Sequence, residues 1–539
     1  MTFTYLAAIL KSLTKVTIIL GLIGLSGCLS SKSLVEGLAR SPHHPVQDSE
    51  RYHSLNSFQQ DFLYLTEIVR ETHPDPYTAW SKQEFDDEQH RILTHLAAET
   101  SKTAFEQSLQ TFLVRLQDSH TGAQISGGSL GPIQYPISFF WLKDTLVLAS
   151  VGKQEDTTLI GSRVLSFNDI STQEVFTRFK RFIAYDNIYR ARRTLQYYFV
   201  FPNLHHDAGI IVSDTLELTL LTPSGSTSRF LVLPVPHPVR YQHYQPPSNT
   251  PAPNKLFSYT FIEGDKVCSM QFNSMNDLRR ARLLPFPMNL LAYPAAWYYG
   301  IGYFDNFLED MFQEMKEKYT TALIVDLRAN GGGSTVYGEQ LLYHLDVSPD
   351  IRNYSMGIRF SPLFRESYPE MYDEYADSYA KKYGGKKLPD SLIMASDINQ
   401  QDPSGSNYFR NITDPNSSYY IKPNRTVFKG QVYFLVGEGT FSSAVILSTI
   451  VKDNKLFTIV GQPTGLRPSH FGDILSLRLP NSGIICTISY KHFFRPDTSK
   501  NYEDALYPDV ETWRTYEDYK NRRNPTLDWI LSDLKAKAK

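Results

Sequence analysis

Two strand–turn–helix units restrict the fold of this 539-residue chain more than any other feature. In the first, the apolar run ALIVDL (322–327) has the length of one strand and the composition of a strand covered on both faces. It ends at Gly331-Gly332-Gly333, and the apolar spacing from Val336 to Leu345 then predicts a helix. In the second, QVYFLVG (431–437) leads through Glu438-Gly439-Thr440-Phe441 into a predicted helix over 442–452. Strands at 457–460, 474–479 and 484–490 are expected to close this unit. An α/β core over 255–535 follows, with KVCSMQF (266–272) as a further strand and a helix through Phe304, Leu308, Met311 and Met315. Residues 361–420, rich in Tyr, Ser and Asp, read as an insertion over that core; long insertions in compact folds are usually lids or binding loops.

Upstream the texture differs. Leu55, Phe58, Phe62, Leu65 and Val69 recur at helical spacing and stop at His73-Pro74. A second helix is expected over 82–98, and a third carries Phe105, Leu109, Phe112, Leu113 and Leu116 before Asp118-Ser119-His120-Thr121-Gly122. Residues 55–130 therefore read as an N-terminal helical domain. Short strands and one helix (173–182) make 131–235 a small β-rich module, and the Pro-rich stretch 236–254 a linker.

The first residues read as a targeting segment. Lys11 and Lys15 precede the apolar run 16–25, which is too short for a comfortable membrane span. Leu25-Ser26-Gly27-Cys28 is similar to a bacterial lipobox, so 1–27 is expected to be a signal peptide, Cys28 the lipidated residue and 28–54 a tether. The expected location is the bacterial cell envelope, lipid-anchored to a membrane and facing the periplasm. An ordinary cleaved signal with a chance cysteine is the alternative. Cys268 and Cys486 lie in strand-like runs, either as buried thiols or as one disulfide.

Composition excludes several classes. A hydrophobic fraction of 41% rules out wholesale disorder. Lys+Arg number 54 against 56 Asp+Glu, so no basic excess exists to neutralise phosphates, and no nucleic acid partner is expected. Three cysteines make neither a disulfide framework nor zinc-finger spacing.

Chemistry points to the two turns. Successive glycines at a strand end leave backbone N–H groups open to a phosphate or an oxyanion; no Lys follows, which argues against nucleotide binding. A serine at the first turn of a helix after a buried strand, as Ser442 and Ser443 are, suits a nucleophile, with the next N–H placed for the oxyanion. Each has a plainer reading: a turn, and a serine that caps a helix.

Together these segments resemble the serine-peptidase family of tail-specific, C-terminal processing and tricorn-type proteases. ALIVDLRANGGG, FLVGEGTFSSAVILSTIVKDNKLFTIVGQPTG and LQDSHTG carry the resemblance. It implies a ClpP/crotonase-like α/β sheet with helices, and IGSRVLSFNDISTQEVF is similar to half of a PDZ domain. Ser442 then matches the nucleophile, and the N–H groups of Ser443 and Gly332 the oxyanion hole. The processing branch places a base Lys twenty-five residues after the Ser; here that position is Arg467, which stays protonated. The tricorn-type branch uses an upstream His instead, matched by His120, and a late carboxylate, for which Glu503 is the nearest match. Arg467 and His470 are expected to touch substrate, and His470 and His492 are rival bases. His73, before Pro74, reads as structural. The implied function is a serine-type peptidase acting on peptide or protein substrates, with no metal and no cofactor expected, of unassigned oligomeric state. A catalytically inactive binding protein of this fold, for peptide tails or apolar ligands, remains the alternative, as does an envelope scaffold.

Overall fold

The structure is a computed structural model that describes residues 39–98, 101–123, 132–152, 155–236, 241–243, 255–279, 302–398, 407–521 and 523–537. The expected signal peptide, Cys28 and most of the expected linker lie outside the described residues. Among the described residues, no helix is long and apolar enough to cross a membrane.

Three helices open the body: α1 (Ser57–Thr72), α2 (Lys82–Leu96) and α3 (Lys102–Val114). Asn56 with Gln59, and Ser81 with Glu84, cap the first two reciprocally, which satisfies backbone donors that a helix start leaves open. From residue 39 on, the segment expected to be a tether is docked: Arg478 donates its N–H to the Arg40 carbonyl, and Tyr64 its hydroxyl to the Pro42 carbonyl.

The β-rich module contains β1 (Ile137–Leu142), β2 (Thr145–Gly152), β3 (Arg163–Phe167), β4 (Leu216–Leu221) and β5 (Thr227–Val232). They form an antiparallel sheet ordered Tyr241–His243, β2, β3, β4, β5, with β1 also on β2. Leu216, Leu218 and Leu220 alternate inward, as a half-buried strand requires. Helix α4 (Thr172–Phe179) covers the expected segment, and α5 (Ile188–Leu195) is new. Its sequence IYRARRTL buries only Ala191 and Leu195, so its apolar stripe is too thin to read.

The α/β core is a six-stranded sheet of β6 (Phe257–Ile262), β7 (Val267–Phe272), β8 (Ala322–Asp326), β10 (Gln431–Val436), β11 (Thr458–Gly461) and β14 (Val510–Glu511), in that spatial order. All pairs are parallel except β6 with β7. All five residues of β8 are buried, because helices or other chain cover both faces. The helices are α6 (Phe304–Glu317), α7 (Val336–His344) and α9 (Ser443–Asp453), whose Leu308, Leu341 and Ile450 share one cluster with Val325 and Phe434. β8 and β10 pair in register, Ala322 opposite Gln431 to Asp326 opposite Leu435, so the two glycine-rich turns leave the sheet side by side.

One expectation fails here. The strands β12 (His470–Arg478) and β13 (Ile485–Phe494) do not join the core sheet. They form an antiparallel hairpin in a second sheet with Gly122–Ala123, β9 (Ser355–Ile358) and Ile393–Met394. An apolar run does not reveal which sheet it enters. Helices α1–α3 pack on this sheet, with Phe62, Leu65 and Phe112 in one cluster with Leu477, Cys486 and Ile488. The helix of the insertion, α8 (Pro369–Lys382), lays Tyr372, Tyr375 and Tyr379 against the same cluster. Cys268 and Cys486 are free, buried thiols on different sheets. Burial pushes Cys268 up to about 12, so it stays a neutral apolar filler.

Candidate active site

The turn after β10 is held by its own side chains. Thr440 Oγ1 donates to the Leu327 carbonyl at 2.9 Å and accepts from the Gly437 N–H at 3.0 Å. Phe441 N–H donates to the Asn330 carbonyl at 2.9 Å. Gly439 has no room for a side chain, since a Cβ there would meet the Arg328 carbonyl at 2.3 Å. The turn closes on Ser442 at φ 52° and ψ −128°. A non-glycine residue there stores about 1–3 kcal/mol of backbone strain, held only because the surroundings over-determine it.

Ser442 occupies the N-cap position of α9, yet its side chain makes no capping bond. The neighbouring Ser443 Oγ donates to the Gly333 carbonyl at 2.7 Å. The capping reading therefore fails for both serines, and the Ser442 hydroxyl is left for other work.

Gly332 and Gly333 have φ of 96° and 139°. A Cβ on Gly332 would meet the Ser442 Cβ at 2.6 Å and the Ser443 nitrogen at 3.0 Å, so the two turns touch. The Gly332 N–H donates to Asn330 Oδ1 at 2.8 Å and is occupied in this state. The Ser443 N–H has no hydrogen-bond acceptor among the described residues.

His120 comes to the same place from the other sheet. Its carbonyl accepts from Thr487 Oγ1 at 2.9 Å on β13, and its ring centroid lies 4.9 Å from that of Phe441. The Arg190 guanidinium of α5 lies 4.1 Å from the centroid of the same Phe441 ring. His120 Nδ1 faces Asp118 Oδ1 at 3.7 Å. Asp118, fully buried, accepts at Oδ1 from the His120 N–H (2.9 Å) and at Oδ2 from Thr121 Oγ1 and Ser489 Oγ (2.6 Å each). Burial alone would raise its pKa, but the His120 and His73 imidazoles hold it well below the usual carboxylate range.

A second buried carboxylate, Asp186, arrives from the β-rich module just before α5. It accepts from the Ser119 N–H at 3.1 Å and from the Ser119 hydroxyl. Burial and the neighbouring Asp118 charge push it up to about 6. Asn187 Nδ2 donates to the carbonyls of Thr464 (3.0 Å) and Asp504 (2.8 Å), tying the module to the loop beyond the nucleophile.

The remaining expected residues sit elsewhere. Glu503 faces a buried ion cluster: Arg495 donates to it and, bidentately, to Asp453. It is a counter-ion of Arg495, while the carboxylate that faces His120 is Asp118. Arg467 Nη2 donates to the Asp186 carbonyl at 3.0 Å and to Gln117 Oε1 at 3.3 Å, so it holds the module rather than waiting for substrate. His470 is buried, donates Nδ1–H to the Pro468 carbonyl at 3.0 Å and stacks at 6.1 Å from His120. Burial, with His120 nearby, pushes it down to about 3, so it is a neutral wall behind His120 and not an exposed contact. His492 packs on Phe494 at 4.0 Å and is pushed down to about 4 by burial. Sequence reasoning missed the placement of Asp118 and Asp186 around His120. The first was visible two residues before His120; the second has no local signal. Among the described residues no group of three His, Cys, Asp or Glu side chains is arranged to hold a metal.

The site therefore joins a strained serine at a strand-to-helix turn, a glycine turn on one side of it and, near Phe441, a histidine whose Nδ1 lies 3.7 Å from the Asp118 carboxylate. Residues 300–512 match the model of peptidase family S41. The fold is also that of mature CPAF: one structure aligns at TM-score 0.55 and 15% identity over 86% of this chain and 94% of that one. A second, of mature CPAF complexed with lactacystin, aligns at TM-score 0.56 and 15% identity over 89% of this chain and 97% of that one. No curated protein matches the chain significantly.

Proposed function

We propose that the chain is a serine-type peptidase that hydrolyses peptide bonds through a Ser442 acyl-enzyme. The observation that carries this is the backbone of Ser442, held in a left-handed conformation with its hydroxyl outside the helix cap. His120 turns Nδ1 toward Asp118, which leaves Nε2 to take the proton from the Ser442 hydroxyl as it attacks the carbonyl carbon. The developing oxyanion is met by the Ser443 N–H at the start of α9, where the helix dipole also favours negative charge. The Gly332 N–H becomes a second donor once it turns from Asn330. His120 then returns its proton to the leaving amine, and water repeats the sequence on the acyl ester. The β-rich module, read as PDZ-like, would present the substrate's chain end. Lipidation of Cys28, which would hold the enzyme on a membrane, belongs to the same reading; acyl labelling lost in Cys28→Ala tests it.

Labelling by a fluorophosphonate probe tests the chemistry. Ser442 should be the modified residue, and Ser442→Ala and His120→Ala should each abolish labelling and peptide cleavage. A wild type that never reacts would leave the inactive binding protein as the better reading.

A further inference from the structure

Asp118 has a second imidazole on its far side. His73 is the residue after α1, followed by Pro74 and Asp75, and it is fully buried. Its Nδ1 accepts the Asp75 backbone N–H at 3.2 Å. An imidazole that accepts at Nδ1 carries its proton on Nε2. That Nε2 lies 3.3 Å from Asp118 Oδ2, the oxygen opposite the one that faces His120. The His73 ring is fixed by edge packing on Phe471 of β12 at 4.6 Å. His73 therefore reaches Asp118 from helix α1 and Ser489 reaches it from β13, while His120 lies on the loop between them.

We infer that His73 is a positioning residue for the catalytic base, donating Nε2–H to Asp118 so that this carboxylate stays charged and aimed at His120. The inference rests on the Ser442–His120 reading and deepens it: the unit is Ser442, His120, Asp118 and His73, drawn from both sheets and α1. Asp118 divides its charge among several donors. Removing one leaves more of that charge to act on His120 and frees the carboxylate to turn. The other charged or titratable groups facing the pair are Asp186 behind Ser119, His470 on β12 and Arg467 on the Asp186 carbonyl; His492 faces His73 across Phe471.

The test is the pH–rate profile of fluorophosphonate labelling in the full chain. In His73→Leu the rate should fall on the order of tenfold to a hundredfold, as expected for a misaimed base. The midpoint of the profile should move to higher pH, because the less-shared Asp118 charge favours protonated His120. His73→Gln places an N–H near the same position and should restore both rate and midpoint. If His73→Leu does not fold, Ser489→Ala removes another donor from the same Asp118 oxygen and should move the midpoint the same way. A folded His73→Leu with wild-type rate and midpoint overturns the inference, as does a Ser489→Ala profile that stays in place or a His73→Gln as slow as the leucine variant. Wild-type protein that never labels overturns the Ser442 reading instead, and the role of His73 with it.

Discussion

Gly332 and Ser442 stand so close that a single Cβ on the glycine would lie 2.6 Å from the serine Cβ. The two residues are 110 positions apart, and parallel pairing of β8 with β10 brings them together. The contact makes one rigid object of the two glycine-containing turns, with the strained serine wedged between the glycine run and helix α9.

Gly332→Ala should therefore be costly in two ways. Its φ of 96° is unfavourable for alanine, and the new methyl would displace Ser442. We expect a loss of about 1–3 kcal/mol in stability from overpacking. Labelling should fall on the order of a hundredfold or more as the serine leaves the proposed oxyanion donors. Gly331→Ala is the control: a Cβ there meets nothing within 4 Å, and denaturation midpoint and labelling should both stay near wild type.

Glu503→Ala should separate stability from catalysis. Arg495 has no exposed side-chain surface and is shared by Asp453 and Glu503. Losing one of two partners should cost about 2–4 kcal/mol, less than a fully orphaned buried charge because Asp453 remains. Urea midpoints should drop, while labelling per folded molecule stays within about twofold, far from the loss that a catalytic acid or base would show. A large drop in labelling at full folding would return Glu503 to the catalytic set.

Arg467→Ala should lower kcat more than it raises KM. The guanidinium bonds the Asp186 carbonyl and Gln117, next to the loop that carries His120. Its removal loosens the base rather than a substrate contact. Steady-state kinetics on a peptide substrate decide this, and a change confined to KM would assign Arg467 to substrate after all.

Asp186 should leave a mark on the pH dependence of stability. Its folded-state pKa of about 6 lies above the ordinary value for Asp, so the folded protein binds this proton more tightly than the unfolded chain does. The contribution of Asp186 to stability is then favourable at low pH and is lost as pH rises from about 4 toward 6, levelling beyond. Asp186→Asn keeps an acceptor for Ser119 and should remove that slope. Urea midpoints measured near pH 4 and near pH 7 should show the difference between wild type and variant change across that window, and a difference that stays constant would mean that Asp186 titrates as it does in the unfolded chain.

Much of the architecture was legible locally. The helices around Phe62, Phe85 and Phe112 follow from their apolar spacing and their capping residues, and β8 and β10 from short apolar runs ending in glycine. Helix α5 was not legible, because three arginines hide a stripe of two buried residues. The placement of β12 and β13 was not legible either, since an apolar strand fits any sheet that will cover it.

The sequence by itself determined the two strand–turn–helix units, the serine that ends the second turn and the histidine that follows α3. Those features depend on glycine, on helix starts and on apolar periodicity, which act over a few residues. Only the tertiary structure decided which carboxylate faces His120, where Arg467 and Glu503 point, and that His73 lies against the far side of Asp118. Asp186 reaches Ser119 across 67 positions and Ser489 reaches Asp118 across 371. A buried charge is stabilised by whatever donors the packed chain brings within about 3 Å of it, and no local pattern carries that information.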